Sequence, residues 1–186
     1  MAVQLLRHRF TVEDYHRMGQ AGILAEKDRV ELVDGEIVQM TPIGSPHAGT
    51  TTFLHGWLSP RLGARAIVRE QNPVVLAPHS ELQPDLAAVR PRSDHYRQGH
   101  PRPADVLFLI EVSDTTGDYD RTVKLPLYAR AGIQEVWIVD LAAACVEIYL
   151  GPGVSGYERM ERFTRGQSIA PQAFPDLRLS VDDILG

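Results

Sequence analysis

The sequence holds a single cysteine, Cys145, in 186 residues. An internal disulfide is therefore excluded, and so is a cysteine-rich metal site. Cys145 lies inside the apolar run 142–150 and reads as a small buried hydrophobe, which suits a reducing compartment. Lysine is nearly as scarce: Lys27 and Lys124 are the only two, against seventeen arginines. Long apolar runs are missing too. None approaches the ~18 residues that span a bilayer, and Arg7, His8 and Arg9 put charge where a secretion signal needs an apolar core. We expect a cytoplasmic protein with no membrane association. There is no net positive charge. At -5 overall, the chain cannot coat nucleic acid through charge alone, because non-specific affinity comes from neutralising phosphates. Familiar catalytic signatures are also absent: no G-x-S-x-G occurs, and no histidine pair has a zinc-site spacing. Residues 151–156, GPGVSG, match G-x-G-x-x-G, but the alternation after them predicts a strand and leaves no helix N-terminus for a pyrophosphate. A hairpin loop is expected there.

What is present suffices for one sizeable core, and we expect a single domain over residues 1–186. Between Arg61 and Arg102, seven arginines face four acids, a local excess of +3 that leaves -8 elsewhere. That distribution fits either a basic binding face or a set of solvated arginines.

Thr11, Asp14 and Tyr15 look like a capped start to a short helix, which Gly19 and Gly22 would end. Asp34-Gly35, between the apolar-rich runs 29–33 and 36–40, predicts a tight hairpin. Ser45-Pro46 supplies a cap and a first-turn proline for a helix whose stripe is Phe53, Leu54, Trp57, Leu58 and Leu62. Short strands follow over 66–69, 73–76 and 85–89, then an irregular loop over 90–105. Residues 106–112, VLFLIEV, have the length and content of a central strand buried on both faces. A helix over 118–131, kinked at Pro126 and stopped by Gly132, leads to strands over 135–140 and 145–150. Strand, helix, strand implies a crossover and a parallel pair, hence a mixed α/β (α+β) fold with a central mixed sheet flanked by helices. An alternating strand over 157–163 and a polar-capped tail over 177–185 complete the chain.

Glu111 is costly in that central strand unless it is paired or metal-bound. With period two it shares a face with Leu109 and Ser113, at the strand's polar end. Pro84-Asp85, before another apolar strand, would bring a second carboxylate and so an oxygen-rich pocket for a hard cation such as Mg2+. Asp120, Lys124 and Tyr128 recur every four residues and line one helical face. If that face meets the Glu111 strand end, Lys124 reaches the site. Each residue also has a structural reading: a turn acid for Asp85, an ion pair with Arg121 or Arg130 for Glu111, a solvated lysine for Lys124. His47, at a helix start, could contact a phosphate or act as a cap.

Pro84-Asp85, Glu111-Val112-Ser113 and the run DRTVKLPLYARAGIQEVWIVD over 120–140 resemble the signature of a bacterial restriction-endonuclease family, domain of unknown function 820. That family lies within the PD-(D/E)XK nuclease superfamily. The likeness extends to RVELVDGEIV over 29–38 and to Ser45-Pro46-His47. It implies a restriction-endonuclease-like fold. It further implies that Asp85, Glu111 and the Val112 carbonyl bind Mg2+, with Mn2+ as a substitute, and that a lysine orients or activates the attacking water. In the parent motif that lysine lies two residues after the glutamate, where this chain has Ser113; Lys124 resembles a lysine migrated to the next helix. Glu31 matches an acidic position beside the metal, or makes a structural salt bridge. The resemblance implies a homodimer that hydrolyses DNA phosphodiesters. The rival reading is a nuclease fold without catalysis, serving as a nucleic-acid-binding or dimeric interaction module.

Overall fold

The computed structural model describes residues 7–25 and 27–186. Thr11 opens α1 (Val12–Gln20) with a reciprocal capping box: its hydroxyl accepts from the Asp14 N–H, and the Asp14 carboxylate accepts from the Thr11 N–H. The strands β1 (Val30–Val33) and β2 (Glu36–Gln39) pair antiparallel across Asp34 and Gly35, both at positive φ, as a two-residue hairpin turn requires.

The next helix, α2 (Ser45–Leu62), is capped by Gly44 and not by Ser45. Gly44 takes up the extended cap conformation and makes no side-chain bond, so Ser45 becomes the first helical residue, with Pro46 still in the first turn. Leu54, Leu58 and Leu62 recur every four residues and are fully buried.

Four short strands follow: β3 (Ile67–Glu70), β4 (Val74–Ala77), β5 (Ser80–Leu82) and β6 (Leu86–Val89). β5 is not apparent from the sequence, because it has three residues and two of them are polar. The remaining strands are β7 (Val106–Ser113), β8 (Glu135–Asp140), β9 (Cys145–Gly153), β10 (Gly156–Thr164), and the two-residue pair β11 (Ser168–Ile169) and β12 (Leu179–Ser180). They form a six-stranded sheet in the order β10-β9-β8-β7-β6-β3 and a four-stranded sheet in the order β2-β1-β5-β4. The central β7 runs parallel to β8 and antiparallel to β6, so the sheet is mixed as expected. GPGVSG forms the β9-β10 hairpin.

The β7-β8 crossover is helical in three pieces: α3 (Gly117–Tyr119), a π turn over Asp120–Lys124, and α4 (Leu125–Ala131). In the π turn the Leu125 N–H donates to the Asp120 carbonyl. The expected kink at Pro126 is replaced by this arrangement. Pro126 falls in the first turn of α4, where its missing N–H matters least. Gly132, at φ 82°, ends the helix.

Alternation along the central strands divides the core. Phe108, Ile110 and Val112 of β7, with Trp137 and Val139 of β8, pack with α2 and with α5 (Val181–Leu185). Leu109, Val136 and Ile138 face the opposite layer, which holds Leu125 and Tyr128 of α4 and Val74 and Leu82 of the smaller sheet. Glu111 shares the Leu109 face and therefore points between the two sheets, towards the crossover helix.

Candidate functional site

Glu31 on β1, Asp85 just before β6, Glu111 near the end of β7 and Lys124 at the end of the π turn all line one cavity of about 450 Å³. Glu31, Glu111 and Lys124 are buried. The Lys124 ammonium lies 3.3 Å from Glu111 Oε1 and 3.4 Å from Glu31 Oε1. The Tyr128 hydroxyl, one helical turn on, donates to Glu111 Oε1 at 2.5 Å. The Asp85 N–H lies 3.4 Å from Glu111 Oε2, and Asp85 Oδ2 accepts from the Val112 N–H at 2.8 Å. The two carboxylates are thus joined through backbone as well as through proximity. The Gln83 N–H donates to Glu31 Oε1 at 2.6 Å, fixing the third carboxylate from the segment that leads to Asp85.

The alternative cations for Glu111 are accounted for elsewhere. Arg121 bonds Asp140 and Glu147 at 2.6 and 2.9 Å, and Arg130 is exposed. His47, in the first turn of α2, sets Nε2 3.0 Å from Asp85 Oδ2. It therefore braces a carboxylate, which neither of its two sequence readings anticipated. Four of the seven arginines between 61 and 102 are engaged within the fold: Arg61 on Trp57, Arg65 with Asp176, Arg90 on the Ala104 carbonyl, Arg92 with Asp94.

Electrostatics follow from burial. Desolvation pushes the Glu111 carboxyl up to about 8, although Lys124 opposes the shift. Burial works against the charge on Lys124, yet Glu111 and Glu31, with Asp120 and Asp85 beyond, hold its pKa above the ordinary lysine range. His47 is raised by its hydrogen bond to Asp85.

The donor set suits a hard cation. Glu31, Asp85, Glu111 and Asp120 all line the cavity and supply oxygen only.

The family model for Uma2, described as "Putative restriction endonuclease", matches residues 12–182. The chain belongs to the Uma2 family. No curated protein matches it. Among solved structures, the Uma2 chain is similar to one described as a "putative nuclease belonging to DUF820" from Anabaena variabilis. The TM-score is 0.68 at 16% identity, covering 95% of this chain and 97% of that one. At that identity the likeness speaks to the fold alone, mixed sheets with flanking helices.

Two residues of this site in the Uma2 chain escaped the sequence reading as participants. Asp120 is buried and accepts from the Ser113 and Thr116 hydroxyls at 2.6 and 2.9 Å. Ser113 thus serves Asp120 where the parent motif has its lysine. Tyr128 clamps Glu111. The four-residue spacing of Asp120, Lys124 and Tyr128 carried both, but it marked a face and not their partners.

Proposed function

We propose that the protein is a Mg2+-dependent endonuclease that hydrolyses DNA phosphodiester bonds, with Asp85, Glu111, Lys124 and Glu31 as its catalytic residues. The observation that carries this reading is the Lys124 ammonium, held by Glu111 and Glu31 at 3.3 and 3.4 Å in a cavity that Asp85 also lines. Asp85, Glu111 and the Val112 carbonyl would hold the ion, with Mn2+ as a substitute. When bound, the ion would supply an acidified water and neutralise charge on the phosphate.

The protein's own groups divide the remaining work. Lys124 stays protonated at neutral pH, so it acts as a fixed cation that orients water and the scissile phosphate and takes no proton. Glu31 aims that ammonium. Tyr128 and the Asp85 N–H fix the two Glu111 oxygens, and His47 and the Val112 N–H fix Asp85. A homodimer belongs to the same proposal, and a solution mass twice that of the chain is its signature. So does the placing of the whole chain in one domain, which would unfold in a single transition.

The test is calorimetric titration of Mg2+ and Mn2+ into metal-free protein, with plasmid nicking assayed on the same preparations. Nicking should depend on the metal, and Glu111→Gln should lower it by about 100-fold or more while leaving the circular dichroism unchanged. Lys124→Ala should cut turnover by a similar factor and shift Mg2+ affinity by less than about tenfold. Full activity in Glu111→Gln would overturn the assignment. Wild-type protein that neither binds metal nor nicks DNA would favour the non-catalytic module.

A further inference from the structure

Away from that cavity, α1, β5 and the loop before β7 meet at a second cluster. The Thr11 capping box starts α1, and the Tyr15 hydroxyl ties it to the Val30 carbonyl at 2.9 Å, which directs His16 towards β5. His16 Nε2 lies 2.8 Å from Glu81 Oε2. Glu81 is almost fully buried, its side chain only 4% exposed, at the middle of β5. His100 arrives from the 90–105 loop with its ring edge-on to His16, the centroids 6.0 Å apart. A ring nitrogen from each histidine and a Glu81 carboxylate oxygen all lie within 4.8 Å of one another. His100 Nδ1 is enclosed and has no hydrogen-bond partner.

A hydrogen bond accounts for His16 and Glu81 but leaves His100 unexplained. Two imidazoles and a carboxylate converging on one point, one ring carrying a buried unpartnered nitrogen, are what a three-ligand metal site looks like before the ion enters. We propose that His16, Glu81 and His100 form a second metal site, separate from the nuclease centre and selective for a zinc-class transition metal. The donors decide the class. Imidazole nitrogen suits Zn2+, Ni2+ or Co2+, whereas the oxygen-only nuclease cavity suits Mg2+ or Mn2+. A fourth position stays open to solvent, because a cavity of about 480 Å³ opens beside His16 and His100, with Tyr15 and Asp28 on its wall.

The ion would join three segments remote in sequence and brace the smaller sheet from behind. Leu32 on β1 is the register partner of Glu81 on β5, and Glu31 precedes Leu32. Zinc at the second site therefore steadies the strand that presents Glu31 to Lys124, without entering the nuclease cavity.

The test is titration of Zn2+ into the metal-free 186-residue chain by calorimetry, with Co2+ followed by its visible absorption. Wild type and Asp85→Ala should each take one equivalent of Zn2+ here, so failure of the nuclease reading leaves this result untouched. Saturation should raise the melting temperature by roughly 5 to 10 °C at a hundredfold excess over Kd. His16→Gln and His100→Gln should each weaken Zn2+ by about tenfold or more, leaving the Mg2+ titration and far-ultraviolet circular dichroism unchanged. If His100→Gln does not fold, the partly exposed His16 decides alone. Zinc binding undiminished in His16→Gln, or none below about millimolar Zn2+, would overturn the proposal.

Discussion

Glu111 concentrates the physics of this protein in one side chain. It is buried on a central strand among apolar neighbours, and it is held by an ammonium, a phenol and a backbone N–H. Burial lifts its carboxyl to about 8, while in the unfolded chain it returns to about 4.3. Between those values the folded state keeps a proton that the unfolded state has lost. Stability of the metal-free protein should therefore fall as pH rises through that window and level off above it. Urea unfolding in chelator at about pH 5 and about pH 9 should give the lower midpoint at the higher pH, and Glu111→Gln should remove most of the difference. A wild-type midpoint that rose instead would mean that the fold prefers the ionised carboxylate. Lys124 has the opposite requirement, being held charged by more than one acid. Neighbours one helical turn apart thus serve the site in different ways: Tyr128 by donating a proton to a bond, Lys124 by carrying charge.

Turns and helix ends fix where these side chains arrive. Two glycines at positive φ should separate backbone strain from crowding. Gly132, at φ 82°, has open space where a Cβ would stand, so Gly132→Ala should cost only the conformational term of about 1 to 2 kcal/mol. Gly35, at φ 86°, would set a Cβ 2.6 Å from Arg9 Cβ, so Gly35→Ala should cost more. Equal midpoint shifts in chemical denaturation would show that the Arg9 segment yields freely. Elements with a strong local signal were legible in the sequence: Thr11 with Asp14, the Asp34-Gly35 turn, the apolar β7 and the helix stop at Gly132. Those settled by tertiary contact were not. β5 exists because β1 and β4 flank it, and Gly44 caps α2 although Ser45 has the capping side chain. The π turn lies just ahead of Pro126, in a segment whose Lys124 and Tyr128 both contact Glu111. The same limit applies to the sites. The spacing of Asp120, Lys124 and Tyr128 is local and visible, whereas His16, Glu81 and His100 come from three distant segments that no spacing rule connects.

At the scale of the molecule, the single thiol is a built-in reporter. Cys145 starts β9, is fully buried, and burial pushes its thiol up. A thiol reagent should label it about a thousandfold or more slowly in buffer than in denaturant, at a rate that follows global unfolding. Prompt labelling of folded protein would reveal that the β8-β9-β10 side opens by itself. The other half of the six-stranded sheet meets that side at the β7-β8 pair, the only parallel pairing among the described residues. Strands side by side in that sense cannot be joined by a tight turn and need the crossover helix between them. That helix carries Lys124. In chain order the carboxylates at 31, 85 and 111 come first and the ammonium at 124 follows. A chain that stops short of residue 124 therefore holds three acids of this cavity without the cation set against them.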